Sequence, residues 1–257
     1  MNSWSGLNAV RKLRSLDSTF TPATTLIASC YKLKRSEVGM RVGTAGVVLM
    51  AALLLGGCKL QSATEVPLSA IEDETVTAIP GLLRVEVMSC DSYEDSRQPS
   101  DSLIEAQENI PRIFPDAEYE QCYTQRMDSF AQFSIPVGID RTADEVPVTS
   151  DTFNLLTPSA SSLELVIPEA LTERIEQAQS NPMMPSLALD VRLLIVNDTS
   201  EERRYTVWSA WVDGHPGTVM HVDLAPEEEM DLRLSDVSVD QAMKLGWVEV
   251  LSPRPDA

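Results

Sequence analysis

The chain has 257 residues, of which 43% are hydrophobic, enough for one good-sized domain or two small ones and too apolar for a chain disordered throughout. Residues 1–57 hold seven Lys/Arg and two Asp/Glu, a net of +5, so residues 58–257 carry −24 of a chain whose total is −19. A domain this acidic repels phosphate, which excludes nucleic-acid binding, or attraction to an anionic membrane, through bulk charge.

In chain order, the first organised feature begins at Met40. Arg41 is a short positive start, Val42 to Gly57 is an uncharged run of 16 residues, and Cys58 follows. A spanning helix needs about 20 apolar residues, so the run suits the core of a signal peptide better. Its end, Leu55-Gly56-Gly57-Cys58, resembles a bacterial lipobox: a branched apolar residue, two small ones and a cysteine. The resemblance implies a diacylglyceryl group on the Cys58 thiol and cleavage in front of that residue. Two or three acyl chains then hold the protein durably on a membrane, where one alone anchors only marginally. Lys59, in place of Asp, is similar to an outer-membrane sorting signal, with the domain facing the periplasm rather than held at the inner membrane. Residues 1–39 read as an over-extended start or a long n-region, and residues 40–57 as the signal peptide; both are left out of the mature fold.

Residues 58–80 are polar, with two prolines, and read as a tether with a short strand near Thr75–Ile79. The globular domain is then 81–257, with a possible sub-boundary near 141–162. Leu83, Val85 and Val87 alternate as in a strand that ends at Cys90. Ser102-x-x-Glu105 has the form of a capping box for a helix through Leu103, Ala106, Ile110 and Ile113, which Pro111 should end or kink. Ala131, Phe133, Ile135, Val137 and Ile139 form a second alternating run. Asp140 to Ser162 reads as loop around one strand near Phe153–Leu156. Leu163–Ile167 is a short strand, and Pro168 opens a helix with Leu171, Ile175 and Ala178 on one face that Asn181-Pro182 stops. Leu187 to Ile195 alternates most clearly and reads as a hairpin with Tyr205–Val212. Val219–Leu224 and Met230–Leu234 are further strands. Ser238-x-x-Gln241 caps a helix closed by Gly246, and Trp247–Leu251 is the last strand. The expected fold is α+β, mostly antiparallel with two or three helices, and region 187–234 fits an immunoglobulin-like sandwich.

With Cys58 lipidated and Cys30 removed, Cys90 and Cys122 remain, an even count that in an oxidising compartment suggests one disulfide. A metal pair or a reactive thiol competes with it, without a neighbouring histidine or a CxxC spacing in support. His215 and His221, the two histidines of the chain, lie with Asp213 and Asp223 around one turn. A His/carboxylate set can hold a divalent metal, yet no HExxH-type spacing occurs, and surface loop residues are the simpler reading. No GxSxG elbow and no phosphate loop is present in the exported part. On the strand Tyr205–Val212, alternation puts Trp208 on one side and Tyr205 with Trp211 on the other; one side reads as core, the other as an exposed aromatic patch or a helix-covered face.

Gly57-Cys58-Lys59, Thr64-Glu65-Val66 with Leu68-Ser69, Val85-Glu86-Val87 leading to Cys90, and the later Cys122 resemble the layout of small uncharacterised lipoproteins, some of them carried by phages and prophages. That resemblance implies no activity and no cofactor. The reading favoured by the sequence is a non-enzymatic, lipid-anchored envelope protein that binds or occludes an envelope protein partner. The alternatives are a metal-dependent hydrolase built on residues 213–223 and a purely structural envelope protein.

Overall fold

The computed structural model describes residues 59–141, 149–158, 162–179 and 188–254; the signal segment, Cys58 and the Asn181-Pro182 stop lie outside them. The first described element is already part of the sheet. Strand β1 (Lys59–Pro67) is followed by a single turn of helix, α1 (Leu68–Glu72), then β2 (Ala78–Val87), α2 (Asp101–Ile113), β3 (Glu118–Gln125) and β4 (Asp128–Asp140). Short β5 (Asn154–Leu156) and β6 (Leu163–Val166) lead to α3 (Glu169–Gln179). The chain ends with β7 (Ala188–Val196), β8 (Arg203–Val212), β9 (His215–Leu224), β10 (Glu229–Leu234), α4 (Asp236–Leu245) and β11 (Trp247–Pro253).

Lys59–Pro67 pairs along its whole length with β7 in parallel and, over Leu60 to Thr64, with β2 antiparallel, so it is a central strand and not a tether. Its inward face is Leu60, Ser62, Thr64 and Val66, all below 5% exposed. The period of two is present, but two of the four inward positions are small polar residues, which hides it from a hydrophobicity reading. Small side chains are needed there because β2 crosses closely: Gly81 pairs with Thr64, and a Cβ at 81 would lie 2.7 Å from Val137 Cγ2 and 3.0 Å from Thr64 Oγ1.

β1 joins the two halves of the chain. The strands run β10-β7-β1-β2-β4-β5-β6-β11-β8, and β8 pairs back onto β10. The described part is therefore mostly β and closes as a nine-stranded barrel, with β3 and β9 added outside on β4 and β8. This corrects the α+β expectation and excludes the immunoglobulin-like sandwich, whose two sheets keep free edges and antiparallel pairing. Two of the pairings are parallel, β1–β7 and β4–β5. Among the described residues, closure leaves β3 and β9, each paired on one side only, as the strands with a free edge. Nor does the sheet break near 141–162, since β5 bridges β4 to β6 there.

The expected β7–β8 hairpin does not form, because β10 inserts between the two strands. Asn197, fully buried, redirects the chain after β7: its Nδ2 donates to the Glu201 and Leu224 carbonyls at 2.8 and 2.9 Å. α1 is a helix turn that the tether reading lacks, and the other three helices differ from expectation at their ends. Ser100 and Ser235, rather than Ser102 and Ser238, are the N-caps; each Oγ accepts a backbone N–H three residues on, at 3.1 Å. α2 runs through Pro111 to Ile113, whose carbonyl accepts from Arg174 Nε at 2.8 Å. Gly246 closes α4 in the left-handed conformation, φ 84°, as a C-capping glycine should. The alternating runs on β2, β4, β6 and β7 point their apolar residues into one core with Phe114, Phe133 and Phe153 fully buried.

Candidate binding face

Cys90 leaves β2 and Cys122 sits on β3, and the structure joins them in a disulfide with a Cα–Cα distance of 5.6 Å. The other predicted candidates are dispersed. His215 and His221 are six residues apart on β9, about 20 Å along a strand, too far to share one ion. Asp213, in the β8–β9 turn with φ 49°, accepts the Asp231 N–H at 3.0 Å. Asp223 is paired with Arg254, and His221 Nδ1 lies 3.3 Å from Thr206 Oγ1. Among the described residues no three His, Cys, Asp or Glu side chains converge as metal ligands.

What the structure assembles instead is an aromatic outer face. Alternation along β8 points Tyr205 and Val207 inward and Trp208 outward. Ser209 then takes a positive φ of 44°, and the phase of the strand shifts by one residue. Ala210 and Val212 return to the core, and Trp211 emerges on the same side as Trp208. Tyr205 is 3% exposed, against 37% for Trp208 and 41% for Trp211, which corrects the expectation that Tyr205 and Trp211 share a face. The Ser209 kink has local support: its carbonyl accepts the Ser235 N–H at 3.2 Å and the Ser238 Oγ–H at 2.9 Å from the start of α4.

Directly paired residues share a face, so Trp208 lies beside Val219, and Trp211 beside Pro216 on β9 and Arg233 on β10. Val219 is 49% exposed. Trp208 keeps its indole N–H satisfied by donating to Ser252 Oγ on β11 at 2.9 Å, leaving its ring open to solvent. Outward on β11, Trp247 is also half-exposed, and Glu249 pairs with Glu164 of β6. Burial, and then the neighbouring Glu249 carboxylate, push the Glu164 carboxyl above its ordinary range. Burial also raises the Tyr205 phenol to about 12. Exposed aromatic side chains on an outer face suit recognition, since rigid aromatic rings supply much of the energy at interface centres.

One open groove, about 420 Å³, lies where β2 and β4 pair through Pro80 and Pro136, with the carboxylates of Asp116 and Glu118 on its rim. The groove combines proline and aliphatic walls with two carboxylates and the Ser134 hydroxyl.

Fold and site together define a closed, acidic β-barrel with an aromatic strip on its outer wall. Residues 60–256 match the model of a domain of unknown function (DUF7424), and the chain belongs to that family. No curated protein and no solved structure matches the chain. The family match begins on Leu60, the second residue of β1.

Proposed function

We propose that the protein is a non-enzymatic envelope lipoprotein, anchored by lipid on Cys58 at the outer membrane with its domain in the periplasm, and that it binds an envelope protein through the aromatic face of β8 and β9. The observation that carries the binding half is the phase shift at Ser209, which turns both Trp208 and Trp211 out of the barrel beside exposed Val219. Holding a serine at positive φ costs stability, and the core gains nothing from an outward Trp211. The anchoring half is supported by the order Arg41, apolar run, Leu55-Gly56-Gly57-Cys58.

Two measurements test the two halves. Labelled palmitate should enter the wild type and not Cys58→Ala; equal incorporation removes the anchor. Photo-crosslinking in intact cells from Val219 should yield a discrete adduct that a Trp208→Ala/Trp211→Ala variant of unchanged melting temperature loses. An adduct indifferent to both tryptophans removes the binding face.

A further inference from the structure

The rim of the barrel from which β1 starts carries the most exposed large apolar side chains among the described residues. The four most exposed large apolar side chains among the described residues are Tyr93 (104%), Met127 (93%), Met88 (81%) and Val237 (70%). They come from three segments, Met88 and Tyr93 from the same one, and the strand registers bring them to one end. β2 passes Leu60 at Val85 and runs on to Val87, so Met88 emerges beyond the first residues of β1. Val87 pairs with Ser129 and Gln125 with Asp128, which puts the Arg126-Met127 turn of the β3–β4 hairpin at the same end, about two strand spacings (roughly 10 Å) from β1. Tyr93 is carried on the loop that leaves β2; the loop closes where the Ser100 N–H donates to the Cys90 carbonyl at 3.1 Å, and the Cys90–Cys122 disulfide fastens it to β3. On the other side, β7 begins opposite Lys59 and β10 ends toward the same rim, and Val237 follows in the first turn of α4.

We infer that this rim is seated on the lipid bilayer, with Met88, Tyr93 and Met127 entering the headgroup region beside the lipidated cysteine. The inference rests on the anchor proposed above. Consecutive Cα atoms are 3.8 Å apart, and β1 starts at Lys59, so an acylated Cys58 leaves no spacer between barrel and membrane. Single exposed apolar residues need no explanation, but four from three separate segments around the attachment point do. The surrounding carboxylates, Asp91, Glu94, Asp128 and Asp236, outnumber the neighbouring cations Lys59, Arg97 and Arg126, so charge attraction to anionic lipid is not the driving force, and the contact is apolar and resists salt. The disulfide keeps the tips in one rigid set.

The test uses the lipidated protein without substitution, reconstituted in vesicles of phosphatidylethanolamine with a minor share of phosphatidylglycerol, at high salt. Methionine oxidation by a charged, impermeant oxidant is read residue by residue by mass spectrometry, and the same spectra report the lipid on Cys58. Exposure alone makes Met88 and Met127 react faster than the half-buried Met220 and Met243. On vesicles the order should invert, with Met88 and Met127 slowed by roughly tenfold or more as they enter the interface. If Cys58 carries lipid and the order stays that of exposure, the seating is overturned while the anchor stands. If Cys58 carries no lipid, both are overturned.

Discussion

Replacing Cys90 and Cys122 together by alanine should destabilise the domain by about 3.7 kcal/mol, the chain-entropy value for closing 32 residues in the unfolded state. Both cysteines are half-buried, so trimming them leaves little cavity, and the effect should come almost wholly from the unfolded chain. The assay is urea unfolding followed by the fluorescence of Trp208, Trp211 and Trp247. For a urea slope of about 2 kcal/mol per molar, the midpoint falls by roughly 2 M with an almost unchanged folded-state spectrum. Reductant should bring the wild type to the same midpoint and leave the variant unmoved. The reasoning is refuted if the double variant unfolds within about 0.3 M of the wild type, or if reductant shifts the variant as well.

Three further outcomes follow from the packing. Gly81→Ala should cost about 1–3 kcal/mol, because the new methyl meets Val137 and Thr64 in the barrel wall, and a melting temperature equal to wild type would take β1 out of the sheet. Glu164→Gln should stabilise modestly, by less than about 1 kcal/mol at neutral pH, since it removes a carboxylate opposite Glu249. The folded-state pKa of Glu164 is raised, so the native state binds its proton more readily than the unfolded chain; the penalty is present above that raised pKa and vanishes as pH falls below the unfolded value. The variant's advantage in melting temperature should therefore shrink through the acid range, and an advantage independent of pH would contradict the cause assigned. Tyr205, raised to about 12, should be the last tyrosine to ionise in an absorbance titration, and wild-type stability relative to Tyr205→Phe should fall as pH rises above about 10, where only the unfolded chain ionises readily.

The parts of this protein legible in its sequence are those whose signal is local. Val85–Val87, Phe133–Ile139 and Val191–Ile195 alternate because one face of each strand is core, and Gly246 marks a helix end because few other residues adopt its conformation cheaply. Counting cysteines also suffices to pair Cys90 with Cys122 once Cys30 and Cys58 are set aside. Three decisions belong to tertiary structure alone. β1 is a central strand because Ser62 and Thr64 fit where Gly81 lets β2 cross closely, a steric demand that polarity disguises. Closure, with β10 inserted between β7 and β8, depends on pairings between residues far apart in sequence, which no local period records. The aromatic face exists because the Ser209 carbonyl is held by α4 in a conformation that shifts the phase of β8; Trp-Ser-Ala-Trp read by itself sends its two tryptophans to opposite sides, and the helix that overrules it lies 26 residues further along the chain.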